Sequence, residues 1–112
     1  MSDTLTLPAV TDETLPAAIA PGTGLVAVEF TAGWCPPCRV FAPVVEQAAR
    51  DYAGRLRVVQ MDADASPAAM ARYGVRSLPM LLAFRDGEPV ERVVGAVAPT
   101  VLRETLDRLT RG

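Results

Sequence analysis

Some of the hydrophobic residues along the chain occur in short continuous runs, which predict buried strands. Residues 25–31 are apolar apart from one acid and a final threonine, as expected for a central strand that is covered on both faces. Residues 56–62 predict the next strand. Residues 80–84 and 90–94 flank Asp86-Gly87, a dipeptide typical of a tight β-hairpin turn. The pattern indicates two consecutive strands followed by an antiparallel hairpin.

Other stretches place their apolar residues at helical spacing. Residues 39–53 and 99–111 each predict an amphipathic helix, and Gly54 ends the first of them. Pro43 lies inside this first helix and predicts a kink. The apolar positions are Val40, Phe41, Val44, Val45 and Ala48 in the first helix and Val101, Leu102, Leu106 and Leu109 in the last.

Shorter elements are indicated by their end signals. Thr11, followed by acids, is a candidate N-cap for a short helix that ends near Pro21-Gly22. Ser66-Pro67 fits the N-cap and first position of a helix that continues to Tyr73. Residues 4–9 are a candidate edge strand.

The order of these elements describes a fold class. Strand, helix, strand, helix, hairpin and helix predict an α/β fold in which a mixed central sheet carries helices on both faces. The chain has 112 residues, half of them hydrophobic, and shows no repeat or linker. We therefore expect a single domain spanning residues 1–112.

The two cysteines of the chain, Cys35 and Cys38, stand between the first predicted strand and the helix that follows it. Open α/β sheets hold their working sites at the carboxyl ends of strands. At a helix N-terminus, unpaired backbone amides and the helix dipole favour a thiolate at Cys35. Residues i and i+3 share one helix face, so the two sulfurs can close and reopen a small disulfide ring. The pair is a candidate two-electron switch.

Composition narrows the chemistry further. The chain has neither histidine nor lysine, which excludes His-assisted nucleophiles, Schiff-base lysines and His-metal sites. Two thiolates are half of a zinc or iron–sulfur site, so no metal is expected without a second chain or unusual ligands. The formal charge of −2, with acids and arginines interspersed, offers no basic stripe for nucleic acid and no polybasic patch for a membrane.

The N-terminal residues show no basic region followed by a long apolar core. The longest apolar run is too short to span a bilayer. A cytoplasmic location is therefore expected. In a reducing compartment, a lone cysteine pair is more often catalytic or metal-binding than a structural cross-link.

Taken together, these residues resemble the thioredoxin family. The shared segments occur in the family's order and spacing and cover nearly all of residues 5–109. They are residues 28–39 with Trp34-Cys35-Pro36-Pro37-Cys38, then Pro43, Asp62-Ala63-Asp64, residues 73–80 with Leu78-Pro79, residues 84–87, and Val94-Gly95-Ala96. The resemblance implies the thioredoxin fold and a protein-disulfide reductase, a general cytosolic electron donor that works by reversible dithiol–disulfide exchange.

In the mechanism that the resemblance implies, an exposed Cys35 attacks a substrate disulfide, and the more buried Cys38 resolves the mixed disulfide. Pro79 resembles the family's cis-proline opposite the cysteines, although the residues alone would favour an ordinary trans proline. It would hold Leu78 extended, so that a substrate strand can pair with it. No organic cofactor would be bound, and an NADPH-dependent thioredoxin reductase would reduce the Cys35–Cys38 disulfide again.

The residues around Cys35 would form a flat, mostly apolar docking surface. Gly95 would let the backbone of a partner approach closely, whereas Val94 has core packing as an alternative role. Such a surface recognises main chain and shape, which implies diverse protein disulfide substrates; the protein itself is expected to be a monomer. The expected substrate-binding residues are Trp34, Pro36, Pro37, Leu78, Pro79, Val94, Gly95 and Ala96.

Three positions depart from the family's usual pattern. Pro36 replaces the usual glycine, which removes a backbone amide near the nucleophilic sulfur, stiffens the loop and can shift the potential. Glu29 stands where an aspartate is usually buried beneath the second cysteine, and Gln60 replaces its common lysine neighbour. A carboxyl buried without a cation should have a raised pKa, which suits a proton acceptor for Cys38. The alternative is a partly solvated strand glutamate without catalytic importance.

Two other functions stay open on this reasoning. The fold could serve as a redox-dependent docking subunit, in which case binding would survive replacement of both cysteines by serine. Pro36 also makes a more oxidising disulfide oxidase or isomerase conceivable, although the missing signal peptide speaks against it. Equilibration with glutathione would measure the potential and separate reductant from oxidant.

Overall fold

The computed structural model describes residues 7–111 of the chain. The strands are β1 (Leu25–Thr31), β2 (Arg57–Asp62), β3 (Met80–Arg85) and β4 (Glu88–Val94). The helices are α1 (Leu15–Ala18), α2 (Pro36–Asp51), α3 (Pro67–Arg72) and α4 (Pro99–Arg111), with one turn of 3₁₀ helix at Ala63–Ala65.

The strands form one mixed sheet in the order β2-β1-β3-β4. β1 pairs in parallel with β2 and antiparallel with β3, and β3 pairs antiparallel with β4. Parallel neighbours require a crossover connection, which α2 supplies between β1 and β2. The architecture confirms the predicted α/β class.

Helices cover both faces of the sheet, and β1 is therefore buried on both sides. Because successive side chains of a strand point to opposite faces, Leu25 and Ala27 pack on one side and Val26 and Val28 on the other. The first side is closed by α2 and α4 through Phe41, Val45, Ala48, Leu102, Leu106 and Leu109. The second is closed by α1 and α3 through Leu15 and Ala69, with Val59, Met61, Val75, Leu82 and Phe84.

A two-residue turn joins β3 to β4, as the Asp86-Gly87 dipeptide predicts. Both residues have positive φ, 54° at Asp86 and 86° at Gly87. This is the backbone of a turn whose twist matches that of the flanking strands, and glycine adopts it without steric conflict. The Asp86 carboxylate also accepts a hydrogen bond from the Gly22 N–H at 3.1 Å, which ties the turn to the loop before β1.

Helix α2 begins three residues earlier than periodicity predicts, at Pro36 instead of residue 39, and it ends at Asp51. Prolines are tolerated in the first turn of a helix because the amides there have no intrahelical partner. The helix is continuous through Pro43, and the kink there stays a prediction.

Two positions assigned to the core face solvent instead. Val40 of α2 and Val101 of α4 are exposed, whereas Phe41 and Leu102, their immediate neighbours in sequence, are buried. Successive helical residues point about 100° apart, and in these two adjacent pairs only the second residue faces the sheet. The predicted stripes were one residue too wide.

The first helix is much shorter than predicted, although Thr11 makes the hydrogen bonds of a capping residue in the turn that leads into it. α1 contains four residues, with Thr14 at the N-cap position. The Thr11 N–H donates to Thr14 Oγ1 at 2.8 Å, the Thr14 N–H donates to Thr11 Oγ1 at 3.2 Å, and the Leu15 N–H donates to the Thr11 carbonyl at 2.8 Å. This reciprocal pattern is a capping box, which gives acceptors to amides that have no partner within the helix.

The predicted edge strand at residues 4–9 falls partly outside the described residues, since residues 4–6 are not among them. Within the described part, Ala9 forms a parallel bridge with Gln60 on the outer edge of β2. The Val10 N–H donates to the Gln60 carbonyl, and the Gln60 N–H donates to the Pro8 carbonyl, both at 2.9 Å. Pro8 has no N–H of its own, which limits further pairing.

Helix α3 is capped by a residue distant in sequence. Ser66 occupies the predicted N-cap position but makes no side-chain capping bond. The Asp12 carboxylate accepts from the Ala68 N–H at 3.0 Å and from the Ala69 N–H at 2.9 Å. Asp12 therefore connects the N-terminal turn to α3.

We expect Asp12→Ala to lower the free energy of unfolding by about 1 kcal/mol, because two amides of the first turn of α3 lose their acceptor. Urea unfolding of the oxidised protein measures this. Glu13→Ala is the matched control, since Glu13 is exposed and next in sequence. Equal stability of the two variants would show that Asp12 does not cap α3.

Candidate active site

Three connecting segments meet at one edge of the sheet. Strand pairing places Phe30 opposite Met80, Thr31 opposite Asp62, and Met80 opposite Val94. The carboxyl ends of β1, β2 and β4 therefore lie beside the amino end of β3. The residues that follow β1, precede β3 and follow β4 hold most of the predicted site residues, and the register brings these segments together.

The cysteine pair lies at the start of α2. Cys35 is the N-cap residue, with an extended backbone, and its Sγ accepts a hydrogen bond from the Cys38 N–H at 3.3 Å. Pro36 and Pro37 occupy the first two helical positions and have no N–H, so Cys38 supplies the first amide of the helix. The two cysteines are joined in a disulfide, with Cα atoms 5.3 Å apart.

The predicted difference in exposure between the two cysteines is not present in the disulfide state. Cys35 is 3% exposed and Cys38 2%, so the expectation of an exposed Cys35 is wrong for this state. The reason is local packing, because the disulfide holds Cys35 against Ala32 and Leu78.

Cys35 and Cys38 nevertheless differ in what they face. Cys35 lines an open groove of about 370 Å³, whereas Cys38 does not line it. The groove combines residues from the start of α2, from the segment after β2, from α3 and from the segment before β3. Its lining residues are Trp34, Cys35, Pro36, Pro37, Ala63, Asp64, Met70, Arg76, Ser77 and Leu78.

Trp34 covers one side of this groove and is 63% exposed. Its indole Nε1–H donates to Asp64 Oδ2 at 2.8 Å. The Asp64 N–H in turn donates to Asp62 Oδ1 at 3.0 Å. Asp64 was not predicted as a site residue, although Asp62-Ala63-Asp64 is one of the segments shared with the family and follows the end of β2.

The segment before β3 has a cis peptide bond between Leu78 and Pro79. The Pro79 carbonyl accepts from the Gly95 N–H at 2.9 Å, which attaches the segment after β4 to it. Val94 is about half exposed and Ala96 is exposed. Val94, Gly95 and Ala96 thus adjoin Pro79, but they do not line the groove that contains Cys35.

Glu29 is buried inside the sheet layer, with 1% of its surface exposed. It follows Leu25 and Ala27 on the side of β1 that faces α2, and Cys38 precedes Phe41 by about one turn on the inner face of α2. Glu29 and Cys38 therefore both lie next to this core cluster, on its side nearer the carboxyl end of β1. The idea of a partly solvated glutamate is wrong, because the side chain has almost no contact with solvent.

The Glu29 carboxyl has no compensating partner among residues 7–111. Gln60 lies opposite Glu29 on β2, as predicted, but Glu29 Oε2 accepts no hydrogen bond from it or from another described residue. Burial, and to a smaller extent the negative charge of Glu46 on α2, together raise the pKa of Glu29 to about 7. Glu46 was not identified from the sequence, because its proximity depends on how α2 packs on the sheet.

Two negative findings concern residues 7–111 alone. No helix in this part of the chain is long and apolar enough to cross a membrane. No group of three or more histidine, cysteine, aspartate or glutamate side chains is arranged there to hold a metal ion.

Comparison with known proteins agrees with this geometry. The thioredoxin family model matches residues 6–108. A protein named Thioredoxin 1 from Synechococcus elongatus is 44% identical over 100 residues, which cover 89% of this chain and 94% of the relative. The chain belongs to the thioredoxin family.

Other family members are similarly close. Thioredoxin 1 of Nostoc sp. is 42% identical, with 88% of this chain and 92% of the relative covered. A thioredoxin of Staphylococcus epidermidis is 43% identical, with 88% and 93% covered. Membership and the Cys35–Cys38 pair identify a protein-disulfide reductase, a thiol–disulfide oxidoreductase that works by dithiol–disulfide exchange.

We expect the stability of the oxidised protein to fall as pH rises from about 4.5 to about 7. The folded-state pKa of Glu29 lies above the reference value of 4.5, so ionisation is disfavoured in the folded state. The contribution of Glu29 is therefore fully present below about 4.5 and is lost as pH rises through about 7. The loss amounts to about 3 kcal/mol above neutral pH.

Glu29→Gln should remove this fall, and Glu104→Gln, at an exposed position, should retain it. The measurement is urea unfolding at a series of pH values with the disulfide intact, which prevents thiol titration from contributing. A parallel pH dependence in wild type and Glu29→Gln would contradict the assigned cause.

Proposed function

We propose that the protein is a general reductant of protein disulfides, with Cys35 as nucleophile and Cys38 as resolving cysteine. The Cys35 thiolate attacks one sulfur of a substrate disulfide, forms a mixed disulfide and releases one substrate thiolate. The Cys38 thiolate then attacks Cys35 Sγ, which releases the second substrate thiolate. The protein loses two electrons and two protons in forming the Cys35–Cys38 disulfide, and the substrate gains them as two thiols.

One observation carries the assignment of Cys35: it lines the open groove from the N-cap position of α2, whereas Cys38 does not line the groove. A substrate sulfur that enters the groove meets Cys35 first. The N-terminal dipole of a helix of 16 residues and the Cys38 N–H both favour negative charge on Cys35 Sγ.

Glu29 is the proposed proton acceptor for Cys38. The resolving step requires Cys38 to lose a proton inside the protein, in a chain without histidine or lysine. A carboxyl with a pKa of about 7 exchanges a proton readily near neutral pH, and Glu29 lies on the side of β1 that faces α2.

The substrate would lie in the groove and along the segments that adjoin it. Trp34 offers a large exposed apolar surface, and Pro36 and Pro37 form a stiff wall beside Cys35. Pro79, which donates no backbone hydrogen bond, would leave the Leu78 main chain to pair with an extended substrate. Val94, Gly95 and Ala96 would contact the parts of the substrate beyond the groove.

Turnover needs an electron source, and we propose an NADPH-dependent thioredoxin reductase for that role, with no cofactor bound by the protein itself. Diverse protein disulfides would be the substrates, and the protein would act as a monomer. We place the activity in the cytoplasm, because a reductant of disulfides is maintained most readily where thiols are kept reduced.

The cysteine roles predict different behaviour for two matched variants. Cys35→Ser should abolish disulfide reduction, because the attacking sulfur is lost. Cys38→Ser should attack but accumulate a mixed disulfide, since nothing resolves it. Mass spectrometry of each reduced variant mixed with oxidised insulin tests this. The assignment would be reversed if Cys35→Ser accumulated the adduct.

Replacement of Glu29 should affect resolution more than attack. We expect Glu29→Gln to leave the rate of mixed-disulfide formation unchanged and to slow its resolution about tenfold or more near pH 7, because a general base is lost. Single-turnover kinetics measure both steps between about pH 6 and 8. Glu29→Asp, which keeps a carboxylate, should resolve faster than Glu29→Gln. Equal resolution rates in wild type and Glu29→Gln would exclude the proton-acceptor role.

A further inference from the structure

One charged side chain of the groove has no part in the exchange reaction. Arg76 lines the groove together with Cys35 and Leu78, and it is exposed. Among residues 7–111 it has no ion-pair or hydrogen-bond partner. A guanidinium group is thus available to a ligand beside the reactive sulfur.

Several other arginines are already engaged by the fold. Arg103 and Arg108 form ion pairs. Arg85 and Arg92 donate to backbone carbonyl oxygens at 2.6 and 2.7 Å. Arg76 is the arginine that lines the groove, so its guanidinium is placed to contact a substrate and not to stabilise the fold.

The groove also holds one acid, and that acid is engaged. Asp64 accepts the hydrogen bond from the Trp34 indole, and it forms no ion pair with Arg76. The remaining lining side chains are apolar, apart from Ser77. Arg76 is therefore the positively charged side chain of the groove, and its guanidinium is not paired with the groove's acid.

We propose that Arg76 determines specificity by favouring disulfides with a carboxylate side chain within two residues of the attacked cysteine. The inference rests on the proposed function, in which the substrate backbone pairs beside Leu78. Arg76 precedes Leu78 by two residues and lines the same groove as Leu78 and Cys35, and two extended residues of a substrate span about 7 Å. A substrate side chain two positions from its cysteine is thus within reach of the guanidinium, whose planar fork matches a carboxylate.

The preference for acidic substrates should affect how fast a substrate associates with the groove, and not the exchange of sulfur bonds itself. Arg76 exchanges no bond and moves no proton, and its exposed charge is screened by salt. The protein carries a net charge of −2, which by itself would favour basic substrates. A preference for an acidic substrate would therefore indicate a local contact with Arg76 and not an effect of the overall charge.

The test uses single-cysteine peptides whose thiol is linked to 2-nitro-5-thiobenzoate through a disulfide. Attack of the Cys35 thiolate on the peptide sulfur releases the coloured thiolate, so absorbance gives the second-order rate constant. Three peptides differ only in the residue that stands two positions before and two positions after the cysteine, which is Glu, Gln or Lys. Prereduced wild type, Arg76→Gln, Arg76→Glu and the control Arg72→Gln are compared at low and high salt.

We expect wild type to attack the Glu peptide about three- to fivefold faster than the Lys peptide at low salt, with a smaller ratio at high salt. Arg76→Gln should remove the preference and Arg76→Glu should reverse it. Arg72→Gln has the same change of charge on an exposed residue outside the groove, and it should retain the wild-type ratio.

The same Glu-to-Lys ratio in wild type, Arg76→Gln and Arg76→Glu would overturn the inference, while attack on all three peptides would leave the proposed function standing. A wild-type protein that failed to attack the Gln peptide would contradict the proposed function, and the inference with it.

Discussion

The burial of β1 on both faces is the constraint on which the site depends. Two apolar clusters hold this strand from opposite sides, and β2 and β3 hold its edges. Its carboxyl end is thereby fixed, and the chain must leave it and cross over to begin β2 in parallel. The crossover helix, α2, starts within five residues of the end of β1. The cysteine pair is therefore held at a helix N-terminus, close to the carboxyl ends of β2 and β4 and the amino end of β3.

The same burial gives Glu29 its chemistry. In a strand solvated on one face, a glutamate would ionise near its ordinary pKa, whereas here the protein surrounds it and Gln60 brings no charge. The result is a carboxyl that is unfavourable for stability when ionised and able to exchange a proton near neutral pH. The structure places this group on the side of β1 that faces α2, which supports the proposed role of Glu29 as proton acceptor for Cys38.

Sequence predicted the features that local chemistry determines. The strands, the Asp86-Gly87 turn, the start of α3 and the position of Glu29 opposite Gln60 depend on patterns within short windows or on the family's spacing. The wrong or missing predictions concern contacts between residues that are distant in sequence, which no short stretch of sequence contains. Asp12 caps α3 from 56 residues away, and Cys35 is covered by Leu78, from a separate loop. The exposed Val40 depends on which side of α2 meets the sheet.

The most direct test of this account is the titration of the Glu29 carboxyl in the oxidised protein. Carbon-13 NMR of protein labelled at the glutamate side-chain carboxyl follows each group separately, and the spectrum of Glu29→Gln identifies the Glu29 signal. A midpoint near pH 7 is the predicted result. A midpoint near the reference value of 4.5 would contradict both the uncompensated burial of Glu29 and its role as a proton acceptor at neutral pH.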